Sequence, residues 1–542
     1  MASLLYYMLT NEPTNGPTSE DKIPSLKSPI TREIKHSLIF PSHEKLYDLA
    51  QHISDHSLSE KVNNYRFGVV PRALSADFDL SPLVIDKYEV DSILVLELVE
   101  QGRYISLFVK HYTGNDTKTI GVINLAKTEL SQGYSYIAKR VNQLLALQSK
   151  AVNDDYGQEF YQQLAMNITE ARALSEQFYD AERVGKATSL LENLPLQTAT
   201  SLAIQCAIKV DIGWHSNEKA QFEQAAHLCE QALIMDSQHP LVKTTNAFRL
   251  FRNGNLEMAA REYQSILTET PHSVEGLIGQ AQLSMQYYLQ DPTKHFSALE
   301  HAINLQQQAI LKDPDYWKSY HFLSTFFYLA KQPKQALAVI EKLTELVTNE
   351  ITLANGALLS LCQAELGDAR RYSEKMLDIN ADSYVAYETL FFINAYQHKS
   401  ERALQAMEKA MVHFGDQGGL FVQWGQLADA YRWSGKKESA VTHYQTALIE
   451  YEQDKTKNQT TAHDNIYSMF FQAAIYRMRN QPIAAELIEQ LSELDVKEMP
   501  TSYQLKAAVL YKWLGDNQTA NTIQQRLVET CPIYSQAMDL SD

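Results

Sequence analysis

His443 beside Tyr444, and His463 beside Asp464, are the closest this 542-residue sequence comes to a proton-transfer pair. A general acid or base needs a partner within hydrogen-bonding reach and a group that orients it. The first pair reads as helical and the second as lying in a loop, settings where such residues are structural or solvated far more often than catalytic. Spacings that other chemistries demand do not occur. There is no G-x4-G-K-S/T to cradle phosphate, no H-E-x-x-H to hold zinc, no G-x-S-x-G elbow and no G-x-G-x-x-G. Cys206, Cys229, Cys362 and Cys531 stand singly, with neither a C-x-x-C pair nor a Cys/His cluster at ligand spacing, and read as small apolar core residues. Their scarcity fits a reducing compartment without excluding an oxidising one. The sequence predicts a protein that is not an enzyme and holds no metal or cofactor.

A formal net charge of −17 argues against direct nucleic-acid binding, because phosphate neutralisation needs clustered Lys and Arg. With 45% hydrophobic and 21% charged residues, most of the chain should fold. Its length exceeds one ordinary core, which predicts several domains or an array that grows lengthwise.

Residues 1–34 read as an apolar N-terminus followed by a disordered linker. MASLLYYMLT is about ten residues long, lacks a basic flank, and is far short of the roughly 20 apolar residues that span a bilayer. It reads either as the remnant of a membrane anchor, which would place the chain in the periplasm, or as the buried start of a soluble, cytoplasmic chain. Pro13, Gly16, Pro17, Pro24 and Pro29 then punctuate a polar stretch with no apolar period.

Residues 35–150 predict a small α/β domain. Strands are expected at Ser37–Phe40, Tyr65–Val70, Asp91–Leu98, Arg103–Lys110 and Lys118–Leu125, and helices over 43–62, 80–88 and 130–147. Gln101-Gly102 and Thr113-Gly114-Asn115-Asp116 supply the turns between the last three strands. The stretch VDSILVLELVEQGRYISLFVKHYTGNDTKTIG resembles TolB amino-terminal-like domains, which precede tetratricopeptide arrays in membrane-anchored bacterial regulators of the CadC type. Glu97 stands where that family usually has Gly, and the Trp that usually follows the hairpin is absent.

Residues 151–195 read as an irregular helical connector. From 196 to 542 the sequence repeats itself at about 34 residues, the period of a helical hairpin that buries its apolar faces only by stacking. The unit from Phe421 carries Trp424, Leu427, Ala428 and Tyr431, then Gly435 in a turn, then Ala440, Tyr444 and Ala447. It resembles the tetratricopeptide (TPR) consensus at nearly every marker. The same second-helix spacing recurs at Ala225, Ala259, Ala302, Ala336, Ala403 and Ala520. The fold class expected is therefore mainly α, a TPR-type solenoid preceded by the α/β domain. Two insertions depart from the period, around Tyr288–Phe296 and at 453–462, and the register is loose near Ile466–Leu491. The stretch 517–530 reads as a polar cap.

The TPR resemblance implies a concave face lined by the first helix of each repeat. In this sequence that face takes Phe248, Phe251 and Arg252 from one repeat, His321 and Tyr328 from another, Asp429, Arg432 and Trp433 from a third, and Lys512 and Trp513 from the last. Arg with aromatic residues suits a peptide groove. The expected function is a protein-interaction scaffold or regulatory module that binds a protein or peptide partner in that groove. The alternative is the sensor portion of a membrane-anchored signalling or transcription regulator. The exposed end of such an array either carries a polar cap or pairs with a second copy.

Overall fold

The computed structural model describes residues 35–59, 65–70, 80, 82–114, 116–148, 158–177, 180–291, 294–414, 420–456, 462–492, 494, 496–499 and 501–537. The apolar N-terminus, the linker that follows it and the centre of the 453–462 insertion lie outside the described residues. The chain divides between Asp315 and Tyr316 into two compact units.

The first unit opens with a five-stranded sheet made of β1 (Lys35–Pro41), β2 (Tyr65–Val69), β3 (Ser92–Gln101), β4 (Tyr104–Tyr112) and β5 (Thr117–Ala126), in the order β2-β1-β3-β4-β5. β1 runs parallel to β2 and β3, and the β3–β4–β5 meander is antiparallel. Residues alternate between faces with the strand period of two. Leu94, Leu96, Ile105, Leu107, Val109, Ile123 and Leu125 point to one core, covered by α1 (Tyr47–Ser59) and by Ile137, Val141 and Leu145. Ile93 and Val95 face the other way, beside α2 (Pro82–Tyr88). Gly102 and Gly114 hold positive φ in the two predicted turns, as hairpin turns require. Glu97, an unusual residue for its position in the resemblance, is ion-paired with Lys110 on the neighbouring strand. The single closing helix expected over 130–147 is two helices, α3 (Lys127–Gln132) and α4 (Tyr134–Gln148), which part at Gly133.

The connector folds as a hairpin of its own, α5 (Gln158–Ser175) and α6 (Ala181–Glu192). Asn124 of β5 donates to the Ala165 carbonyl of α5 at 3.4 Å, so this hairpin caps the sheet. Three more hairpins complete the unit: α7 (Ala199–Ser216) with α8 (Lys219–Asp236), α9 (Pro240–Arg252) with α10 (Leu256–Glu269), and α11 (Val274–Gln290) with α12 (Phe296–Lys312). The excess length expected near Tyr288–Phe296 is carried by α11 and α12, each 17 residues long.

The second unit is six hairpins. They are α13 (Trp317–Leu329) with α14 (Pro333–Leu346), α15 (Glu350–Cys362) with α16 (Leu366–Ile379), α17 (Tyr384–Tyr396) with α18 (Ser400–Val412), α19 (Phe421–Trp433) with α20 (Lys437–Thr456), α21 (Asn465–Met478) with α22 (Ala485–Ser492), and α23 (Thr501–Trp513) with α24 (Asn517–Thr530). A single turn, α25 (Tyr534–Ala537), follows. First helices begin at Pro240, Trp317, Phe421 and Thr501, where the repeat register puts them. The recurrent second-helix alanines Ala225, Ala259, Ala302, Ala336, Ala403, Ala440 and Ala520 are all buried, letting the helices of a hairpin approach closely.

Among the described residues, every hairpin turn except those between α5 and α6 and between α11 and α12 contains a residue in the left-handed region: Asn217, Gly254, Lys331, Ala364, His398, Gly435, Asn480 and Gly515. That conformation ends the first helix and returns the chain as the second. Only three of the eight are glycine, which is why the sequence marks the turns so weakly.

The four cysteines are buried, as expected of core residues, but they are not single. Cys206 of α7 is bonded to Cys229 of α8, and Cys362 at the end of α15 to Cys531 beyond α24, with Cα atoms 5.4 and 4.7 Å apart. Pairing at separations of 23 and 169 residues is a product of the tertiary structure and leaves no spacing signature.

Candidate functional site

On α19 the turn-to-turn spacing of three places Asp429 beside Arg432, whose guanidinium is 3.2 Å from the carboxylate. The second carboxylate oxygen takes the Lys506 ammonium of α23 at 2.8 Å, and the Tyr444 hydroxyl of α20 donates to the first. Burial alone would raise the Asp429 pKa; Lys506 and Arg432 outweigh it and hold the carboxyl below its usual value. Burial pushes the Tyr444 phenol well up, reinforced by the neighbouring carboxylate, so Tyr444 stays a donor.

Rings sandwich these charges. The Arg432 guanidinium lies 5.5 Å from the Trp433 ring centroid and 5.6 Å from that of Trp513, and Arg477 of α21 lies 5.1 Å from Trp513. Lys506 sits 3.9 Å from the centre of Phe470, which is stacked on Trp513, while Trp433 is stacked on Phe391. Such contacts are worth about 0.5–2 kcal/mol each, more as water is excluded. Two cations therefore pair with one carboxylate, and a third, Arg477, shares the Trp513 ring with Arg432. Arg477 is the exposed member, whereas the Arg432 side chain keeps 12% of its surface.

Asp429 with Lys506, and Arg432 with Trp513, join α19 to α23, two hairpins further on. Residues so far apart in an array touch only if it curls toward the side that carries them. The first-helix side of this unit is therefore its inner side.

The other expected groove residues lie apart from this cluster. Lys512 is half-buried next to Trp513 in the chain. Tyr328 lies in the last turn of α13, where burial raises its phenol. His321, on the same helix, is 5% exposed, and burial takes its pKa down to about 4, so it is a neutral core imidazole set edge-on to Phe322. Phe248, Phe251 and Arg252 belong to the first unit, where Arg252 is caged by Phe248 at 5.3 Å, Phe251 at 5.8 Å and Trp214 of α7 at 4.4 Å. Burial lowers the Arg252 pKa, with Asp211 opposing. Lys506, Arg477, Phe470 and Tyr444 escaped the sequence reading as members of one site. Lys506 and Arg477 sit outside the expected lining set, Phe470 falls at the helical spacing of a core wedge, and Tyr444 holds a repeat position on the second helix.

His443 and His463 are structural. The His443 imidazole engages the Ser439 carbonyl at 2.7 Å and stacks on Tyr431, and His463 sits edge-on to Tyr503. Among the described residues no group of three or more His, Cys, Asp or Glu is arranged to hold a metal, and no helix is long and apolar enough to cross a membrane.

A second buried cluster, in the first unit, joins the sheet to the hairpins. Arg103 at the start of β4 donates twice to Asp313, at 2.6 and 2.8 Å, and once to Glu176 at 3.1 Å. Arg172 of α5 bonds Glu176 at 2.8 Å and faces Glu129 and Glu275, each at 3.9 Å, and Tyr104 donates to Glu176 at 2.7 Å. Glu129, which also accepts the Ala126 amide, is pushed up to about 7 by burial, against the pull of Arg172. Nearby, His239 accepts the Leu241 amide and bonds Thr200, and burial lowers it to about 4.

No protein-family model and no curated protein matches the chain. Among solved structures it is similar to PilW, a type IV pilus biogenesis factor, at 16% identity over 40% of this chain and 94% of that one, with a TM-score of 0.34. It is similar to a tetratricopeptide repeat protein from Parabacteroides merdae at 14% identity over 51% and 99%, TM-score 0.33. It is also similar to YrrB, a TPR protein with an unusual peptide-binding site, at 15% identity over 35% and 93%, TM-score 0.29. Its own hairpins, turns and buried alanines make it a tetratricopeptide-type α-solenoid preceded by a small α/β domain.

Proposed function

We propose that the chain is an interaction scaffold that seats a partner polypeptide on the inner side of its second unit, at the row formed by Arg432, Trp433, Arg477, Lys512 and Trp513. The observation that carries this reading is the local charge. Arg432 and Lys506 stand on ring faces and pair with Asp429, and the exposed Arg477 stands beside them on Trp513, in a chain whose net charge is −17. A cationic, ring-lined strip in an otherwise acidic protein suits a segment bearing carboxylates. Capture of binding proteins from the native organism by wild-type chain and by Arg477→Glu tests it. Arg477 is exposed and makes no bond to Asp429, so reversing it leaves the buried cluster intact. A partner lost on charge reversal supports the reading, whereas the same partners on both baits would sink it.

The paired cysteines favour a second reading for compartment, the sensor portion of a membrane-anchored regulator outside the reducing cytosol. It fits the resemblance of the β3–β5 stretch to TolB amino-terminal-like domains. Acid-quenched native material labelled with a maleimide reagent decides this. Four alkylated thiols per chain would place it in a reducing compartment, and none in an oxidising one.

A further inference from the structure

Residues 531–537 leave the last hairpin and turn back onto the inner side of the second unit. Cys531 is bonded to Cys362, and the Ile533 amide donates to the Cys362 carbonyl at 3.2 Å. That carbonyl is among those a helix end leaves without an intrahelical donor. Ile533 is 2% exposed and packs in a cluster with Leu361, Ile393, Tyr396 and Leu505. The Tyr534 phenol is raised by burial and by three neighbouring phenols, Tyr396, Tyr328 and Tyr467, which belong to α17, α13 and α21. The Tyr534 side chain packs against the two clusters that hold Tyr396 of α17 and Tyr467 of α21. The segment is held in shape by its own turn, the Tyr534 amide donating to Cys531 and the Gln536 amide to Ile533, and by Gln524 bonding the Tyr534 carbonyl at 3.0 Å.

Nothing in the repeat calls for this arrangement. Among the described residues, 531–537 pair with no second helix, and Tyr534–Ala537 form a single helical turn. They engage the array through one helix-end carbonyl, one branched aliphatic anchor and one tyrosine, the set of contacts a groove offers to a bound peptide. We infer that the inner side of α13–α17 is a peptide receptor whose resident ligand is the chain's own residues 531–537, and that the external partner it takes presents a branched aliphatic residue followed by tyrosine. This deepens the scaffold reading and rests on it. The Cys362–Cys531 bond is the latch. A dithiol opens it by giving up two electrons and two protons, so that the protein disulfide becomes two thiols and the dithiol becomes a disulfide. Residue 531 directly follows α24, so the freed segment still competes at an effective concentration on the order of millimolar. Full access therefore requires weakening its anchors as well.

The test is fluorescence anisotropy of a fluorescein-labelled peptide spanning residues 529–537, with serine at position 531, titrated with full-length chain. Oxidised wild type should bind at least tenfold more weakly than I533S/Y534S treated with dithiol, and adding I393S to that variant should abolish binding. Equal binding by oxidised wild type and the variant would overturn the inference, as would no binding by a variant that keeps a cooperative melting transition. If the double variant melts without cooperativity, C362S/C531S decides, since tighter binding than oxidised wild type supports the latch and equal binding refutes it. The titration uses no cellular partner. A failed capture with Arg477→Glu therefore speaks against the carboxylate strip alone, and a failed titration against the resident ligand alone.

Discussion

Asp429 is the residue on which the inner cluster of the second unit turns, because it is the one carboxylate bonded there to Arg432, Lys506 and Tyr444 together. Asp429→Asn keeps the shape and removes the charge, leaving two cations in a site where the carboxylate is 5% exposed. Loss of one partner from a buried ion cluster costs about 3 kcal/mol, so the urea midpoint should fall accordingly. Glu129 gives a pH prediction of opposite character. Its folded pKa of about 7 lies above the unfolded value of roughly 4.3, so the folded state holds the proton between them. The stability this contributes is complete below the unfolded value and is lost as pH rises through 7. Glu129→Gln, neutral throughout, should match wild type near pH 4 and exceed it by up to about 3 kcal/mol at pH 8, measured by urea denaturation at both pH values. Asp429, Arg432, Trp433 and Trp513, which the repeat register assigns to one face, come together in one cluster. Glu129 was not legible in the sequence, because burial beside Arg172 depends on where α5 docks.

At the scale of elements, the hairpin is limited by its turn. His398 and Lys331 are exposed, hold φ of 54° and 57°, and carry a Cβ that this region disfavours by about 1 kcal/mol. His398→Gly should raise stability by roughly 0.5–1 kcal/mol, with Lys331→Gly acting alike and additively, read from thermal melts. The opposite limit is close approach between helices. A Cβ at Gly425 of α19 would meet the Phe471 ring at 2.3 Å, so Gly425→Ala must displace a fully buried ring and should cost about 1–3 kcal/mol in the same assay. Helix starts at Pro240, Trp317, Phe421 and Thr501 were legible because each opens a segment with the repeat's marker residues, even where insertions stretch the period. The turns at Lys331, Ala364 and His398 were not, since a non-glycine residue in the left-handed region leaves no compositional trace. The closing helix of the α/β domain was misread as continuous because its apolar period runs across Gly133 unbroken.

For the whole molecule, the two cross-links act over different lengths of chain. Cys206–Cys229 closes 23 residues within one hairpin, and Cys362–Cys531 closes 169 residues of the second unit. In the chain-entropy account the longer loop stabilises more, by about 5 against about 3 kcal/mol, so Cys362→Ser should lower the calorimetric midpoint more than Cys206→Ser. Equal shifts would show that local packing, not loop closure, governs both. The sequence by itself determined the order of parts, the sheet, the connector and the hairpin array, because each rests on a short-range period of 2, 3.6 or about 34 residues. Only the tertiary structure decided which cysteines bond, that Lys506 completes the Asp429 cluster from 77 positions away, and that residues 531–537 return to pack Ile533 and Tyr534 beside Tyr396. These are contacts between hairpins, set by how far the array curls. That curl is the sum of many small helix-packing rotations, and no single stretch of sequence encodes it.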